Sequence, residues 1–334
     1  RRLADGASTL ETRFRAGALM VNGYAVTRQF TEGLRQLEQT LALVERVKDP
    51  DLRMHGLGVA AVMYNEIGEY HLGLQYAERI LAAPAHGRAR CFAGQFRVEA
   101  LWRLKRLPSD DALVRGAIQD CVGEGEAVVA NLLRGTLARK WAEQGQGDKA
   151  IALLDDHLPE VESTRYARLI GEVHSLLAEL LLARGDLAEA DLHARAAIGH
   201  GPSMPHSQPL VAAYKTLYEI ANRRGNASEA LGYYRRYAEA DKAYLNDVKT
   251  RELAYQFVRQ ETAQKTQQIE LLNRQNQVLQ LQQRVAKQNA QNTRLVVLLL
   301  LLVLAVLGYW AYWIRLRQQS VRRFAEADAL TGVS

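Results

Sequence analysis

Three patterns of apolar and polar positions divide the chain. Over residues 1–240, large apolar residues at helical spacing flank short polar turns. Over 241–294 the apolar positions thin to a partial heptad in a polar sequence. From Leu295 to Ile314 there are twenty residues without a charge. The first pattern predicts paired helices, the second one long helix, and the third a helix that crosses a bilayer.

The turns recur. Gly145-Gln146-Gly147-Asp148-Lys149-Ala150, Gly185-Asp186-Leu187-Ala188-Glu189-Ala190 and Gly225-Asn226-Ala227-Ser228-Glu229-Ala230 stand forty residues apart. Gly68-Glu69-Tyr70-His71-Leu72-Gly73 has the same form, and Gln29-Phe30-Thr31-Glu32-Gly33 is a weaker copy. Leu107 to Ala112, with Pro108 inside it, occupies the remaining slot. Glycine ends one helix where the chain must turn, and a small residue five positions on lets the next helix pack closely. Tyr64, Trp141 and Leu181 before the turns, and Tyr76, Leu154 and Tyr234 after them, are expected to fill the core of about six hairpins.

An aromatic before the glycine, a small residue after it and a proline near the end (Pro84, Pro202) resemble the tetratricopeptide repeat. The period here is longer than that family's usual value of about 34, which implies longer helices or longer loops such as His200 to Pro209. The resemblance implies a solenoid whose concave face binds a peptide or protein. Laid on the family pattern, Asn65, Arg97, Arg139, Glu179, Lys215 and Asn222 point toward that groove. Each of them also fits a solvated helix face.

From Tyr233 to Leu307 there is neither Gly nor Pro, and residues 256–291 contain twelve Gln. One helix of ~110 Å satisfies that stretch. A heptad frame runs through Val248, Tyr255, Ile269 and Asn276 as a, and Tyr244, Val258, Leu272, Leu279 and Ala286 as d. It predicts a parallel homodimeric coiled coil over 241–294, with Ile269, Leu272, Asn276 and Leu279 in the seam and Asn276 specifying the pairing. Arg251, Thr262, Lys265 and Gln283 interrupt the frame, so the seam is marginal.

Residues 295–314 are long enough for the roughly 30 Å core of a bilayer, with Tyr309, Trp310, Tyr312 and Trp313 at one edge. Charge follows this division. Residues 256–294 hold six Lys/Arg against two Asp/Glu, and 295–334 hold four against two. The remaining charges of the +6 chain balance, so nucleic acid is not an expected partner, and the excess beside the apolar segment suits anionic headgroups. Arg315, Arg317, Arg322 and Arg323 follow the segment and Arg284, Lys287 and Arg294 precede it, a bias that puts 315–334 in the cytoplasm by a small margin. Arg1-Arg2-Leu3 shows no secretory signal and reads as the interior of a longer protein.

Catalytic chemistry is thin. No His-Glu-x-x-His, Gly-Lys-Ser/Thr or Gly-x-Ser-x-Gly string is present. His200, Met204 and His206 share a loop but lack a third strong ligand, so it reads as a linker. Cys91 and Cys121 fall in helical patterns and read as small core residues, with one bond open to them in an oxidising compartment. No catalytic, cofactor or metal site is expected in this chain.

At the end, Asp328-Ala329-Leu330-Thr331-Gly332-Val333-Ser334 resembles the opening of the GGDEF domain, the catalytic module of diguanylate cyclases, where Asn-Arg comes next. The resemblance rests on Asp328, Leu330, Thr331 and Gly332. It implies that residues 315–334 are a cytoplasmic juxtamembrane linker and the start of a domain that binds GTP and magnesium and makes cyclic di-GMP as a dimer, at a bacterial inner membrane with the N-terminal part in the periplasm. The expected architecture is therefore all-α: a solenoid over 1–240, a stalk over 241–294, a membrane helix over 295–314 and an output domain beyond. The sensor of a histidine kinase and a membrane-tethered scaffold have the same plan, and the residues after Ser334 would separate the three.

Overall fold

The computed structural model describes residues 10–83 and 86–328, with side chains as far as Val321. Among these residues there is no strand. Six helical hairpins follow one another: α1 (Leu10–Val26) with α2 (Phe30–Leu41), α3 (Pro50–Ile67) with α4 (Tyr70–Ala82), and α5 (Gly87–Arg103) with α6 (Ala112–Gly123). Then come α7 (Ala127–Glu143) with α8 (Gly147–Ser163), α9 (Ala167–Arg184) with α10 (Leu187–Gly199), and α11 (Gln208–Arg223) with α12 (Ala227–Asp328). Successive hairpins begin 37 to 41 residues apart. The long period lies mainly in the first helix of each pair, which runs 16 to 18 residues.

A single backbone feature sets the repeat. Each hairpin turn carries one residue in the left-handed region: Arg28, Gly68, Lys105, Gly145, Gly185 and Gly225. The turn bonds are alike, as in Gln146 N to Trp141 O at 2.8 Å and Asp186 N to Leu181 O at 2.9 Å. Glycine adopts this conformation at little steric cost, whereas Arg28 and Lys105 carry a Cβ into it. Close packing after the turn is equally specific, because a Cβ at Gly33 would strike Met63 and one at Gly73 would strike Asn65. In the third hairpin the connection is longer, and Asp111 anchors it by accepting from Lys140 Nζ (2.9 Å) and Trp141 Nε1 (3.0 Å) on α7. Lys105→Gly is expected to raise stability by about 0.5–1 kcal/mol, because its exposed pair with Glu143 contributes less than the left-handed strain costs. A urea midpoint unchanged or lowered in that variant would contradict this account.

Trp141, Leu154 and Leu181 are buried as expected, and Tyr64 stacks on Tyr76 with centroids 5.5 Å apart. Tyr234 is different. It is 48% exposed, because no seventh hairpin follows to cover the sixth. Cys91 and Cys121 also depart from the expectation of unpaired core thiols: a disulfide joins α5 to α6, with both residues fully buried beside Val98, Val114 and Leu133. Their Cα atoms lie 4.7 Å apart, a spacing set by the close approach of Gly94 to Ala117.

The first compact unit extends to Gln260, twenty residues beyond the expected boundary. Ala254 and Val258 of α12 pack with Val21, Phe30, Leu34 and Met63 of the first two hairpins. Tyr255 and Val258 therefore belong to the core of the solenoid and not to an interchain seam. The second unit begins at Glu261 and is one helix as far as Asp328, exposed from Ala263 to Val321. Its segment 295–314 is long and apolar enough to cross a membrane.

Candidate functional site

The first helices of the hairpins pack side by side in chain order, α1 on α3, α3 on α5, and so on to α11. This row is curved. Arg168 at the start of α9 reaches Glu66 at the end of α3, Nη2 to Oε1 at 3.1 Å, although α5 and α7 stand between them in the row. The face carrying these two residues is therefore the concave one.

Counting back from the turns identifies what lines it. Arg139 and Glu179 stand six residues before Gly145 and Gly185, and the same register gives Glu99 before Lys105 and Glu219 before Gly225. Arg139 bridges to two carboxylates of α9, Glu172 at 3.4 Å and Glu179 at 4.0 Å. Lys215 and Glu219 of α11, themselves 4.0 Å apart, add their charges to Glu179. Arg168 lies in the field of both Glu66 and Glu172, which hold its guanidinium well above the ordinary range. A row of alternating charge thus runs from Glu66 through Arg168, Glu172, Arg139 and Glu179 to Lys215.

Two carboxyls on this face are perturbed. Burial pushes Glu99 up, and the negative charge of Glu66 adds to that, opposed by Arg103. Burial also pushes Glu179 up, against the favourable charges of Arg139 and Lys215. Gln95 Nε2 donates to Glu99 at 3.1 Å.

Of the residues expected in the groove, Arg139, Glu179 and Lys215 share this row. Asn222 is exposed at the end of α11. Asn65 is 5% exposed and not a surface group: its Nδ2 donates to the Phe96 carbonyl at 3.1 Å, and its Oδ1 lies against Gly73. Arg97 is half-buried on α5 and lies two positions from Gln95 and from Glu99, on another side of that helix. Glu66, Glu99, Arg168, Glu172 and Glu219 join Arg139, Glu179 and Lys215 on this face, although the tetratricopeptide pattern does not mark them. The sixth position before each turn was the signal for two of them, obscured where Lys105 replaces glycine.

In the second unit Ile269, Leu272, Asn276 and Leu279 are exposed, as are Leu271, Val278, Leu281 and Val285. Asp328 is the last residue of α12, and Leu330, Thr331 and Gly332 lie outside the described residues. Among the described residues no group of three His, Cys, Asp or Glu has the geometry to hold a metal ion. Met204 of the His200–His206 loop is buried against Gly171.

No family model matches the chain, and no curated protein matches it. Solved structures do. NprR in complex with its cognate peptide NprX superposes with TM-score 0.55 at 13% identity, over 74% of this chain and 73% of NprR. A Rap protein complexed with the competence and sporulation factor gives 0.51 at 13% identity, over 71% of this chain and 76% of that one. A signal-transduction ATPase with a tetratricopeptide-repeat sensor from Pyrococcus horikoshii gives 0.51 at 13% identity, over 77% of this chain and 39% of that one. The fold is a tetratricopeptide-like helical-repeat solenoid.

Proposed function

We propose that this chain is the sensing and membrane-anchoring part of a signalling receptor, and that its concave charge row binds a peptide. The observation that carries the reading is the cluster of Arg139, Glu172, Glu179 and Lys215, drawn from α7, α9 and α11 onto one partly desolvated face. An extended peptide offers its backbone and side-chain charges to such a row, and each exchanged charge-assisted bond adds specificity. The fold shared with NprR, solved with its cognate peptide, supports the same ligand class.

Topology and output belong to the proposal as well. A buried disulfide persists outside the reducing cytosol, which supports a periplasmic solenoid. The four arginines after Ile314 support a cytoplasmic end. Ile269, Leu272 and Leu279, exposed together with Leu271, Val278, Leu281 and Val285, support pairing of two copies along the stalk. The Asp328–Gly332 string supports a diguanylate cyclase as the output, so a longer form carrying Gly-Gly-Asp/Glu-Glu-Phe should convert GTP to cyclic di-GMP with magnesium.

The binding reading is tested with the full chain in lipid nanodiscs, incubated with a short-peptide fraction and eluted for mass spectrometry. Peptides retained by the wild type should bind Arg139→Ala and Glu179→Ala about tenfold more weakly, since each variant loses a bond to a charged group. Equal retention by wild type and variants would remove the concave row from the account.

A further inference from the structure

α12 does not stop where the sixth hairpin is complete. Its early turns pack on α11, where Tyr218 and Tyr234 have centroids 5.4 Å apart. It then continues to the first two hairpins, at the opposite end of the solenoid in chain order. Ala254 and Val258, 7% and 3% exposed, enter the core of Val21, Phe30, Leu34 and Met63. Tyr255 meets Tyr64 edge-on at 6.5 Å. Arg28, the left-handed residue of the first turn, donates Nε to Asp247 Oδ1 at 3.0 Å. Arg251 pairs with the same carboxylate, Nε to Oδ2 at 2.9 Å, an oxygen that Arg28 Nη2 also meets, and donates Nη1 to the Glu66 carbonyl at 2.5 Å.

Three features distinguish this contact from ordinary core packing. It is narrow: of its apolar residues Ala254, Tyr255 and Val258 pack with the core, while Leu245, Val248, Leu253 and Phe257 beside them stay exposed. Segments with few buried apolar contacts open at low free energy. It also meets the concave row at one residue, since Glu66 receives Arg251 on its carbonyl and Arg168 on its carboxylate. Finally, Tyr233 to Leu307 contains no Gly or Pro at which a change of position would be absorbed.

We propose that residues 247–258 of α12 are a releasable latch, closing the first and last hairpins into a ring, and that the concave charge row holds it shut through Glu66. A ligand that takes Arg168 or Glu172 from their present partners loosens Glu66, and the latch opens as a unit. The trigger rests on the peptide-binding reading, whereas the latch and its link to Arg168 do not.

Hydrogen–deuterium exchange of the full chain in lipid nanodiscs, with no ligand added, tests both parts. Asp247→Asn removes the charge between the two guanidinium groups while keeping the side-chain shape, and Val258→Asp places a carboxylate in the apolar contact. Each is expected to speed exchange in 247–258 and in α1–α2 by about tenfold, leaving α7–α10 unchanged. Arg168→Ala, on α9, is expected to speed exchange in 247–258 by about threefold through Glu66. An Asp247→Asn chain that exchanges like wild type at 247–258, or one that loosens α7–α10 equally, overturns the latch. An Arg168→Ala chain with unchanged exchange at 247–258 overturns its coupling to the row. If Val258→Asp does not fold, Asp247→Asn decides alone. Failure to find any bound peptide would leave these results untouched, so the two readings fail separately.

Discussion

Removing the Cys91–Cys121 disulfide should lower the stability of the solenoid by about 3.5 kcal/mol. The two residues are 30 apart in sequence, and closing a loop of that length withdraws roughly this much chain entropy from the unfolded state. For a unit of this size the loss corresponds to a thermal midpoint about 10 °C lower. Both sulfurs are buried, so reductant alone acts only after local opening, and the measurement should use Cys91→Ala/Cys121→Ala beside reduced and oxidised wild type. Alanine leaves space for a sulfur at each site, which adds to the loss, so the reduced wild type sets the entropic part. Reductant should leave the double variant unaffected. A difference below about 1 kcal/mol between oxidised and reduced wild type would show that the α5–α6 packing holds without the bond. Protection of both thiols from alkylation in protein taken directly from membranes would place the solenoid in an oxidising compartment.

The repeat was legible because its turn needs a left-handed residue, and four of the six turns use glycine for it. Where Arg28 and Lys105 take that conformation the residue type carries no such signal, and the first and third hairpins were correspondingly faint. The same gap hid Glu99, which stands forty residues before Arg139 and six before Lys105, because no glycine marks the third turn and Leu107 to Ala112 filled its slot instead. The stalk frame failed at Tyr255 and Val258 for another reason. An apolar stripe specifies that a helix face is covered but not by what, and there the first hairpins cover it. Pairing of the cysteines depends on how α5 and α6 approach, which local sequence does not encode. Asn65 is polar but not exposed, because its amide satisfies a carbonyl inside the packing of α3 on α5, and polarity alone does not mark a groove residue.

Acid should destabilise the fifth hairpin through a buried histidine pair. His174 on α9 and His193 on α10 are both buried, with Nδ1 atoms 2.8 Å apart. At that distance one ring donates and the other accepts, so the pair is neutral and a proton added to either breaks it. Burial, then the charge that His193 would carry, lower the His174 pKa to about 4, although Glu162 opposes the shift. His193 is lowered as well, chiefly by burial, against Asp155, Glu189 and Glu162. The unfolded chain protonates these rings near 6.5, before the folded one does. Their contribution is therefore complete above pH 6.5 and is lost as pH falls from there toward 4. The expected loss between pH 7 and pH 4.5 is about 2 kcal/mol. Glu99 and Glu179 work in the opposite sense, because carboxyls raised by burial favour the folded state as pH falls. A single pH profile mixes the two effects, so the test is a comparison of variants. His174→Gln keeps an amide donor beside His193 and removes the first titration, and its urea midpoint should fall less steeply below pH 6.5 than that of the wild type. Parallel profiles for the two proteins would show that the pair does not govern the acid limb.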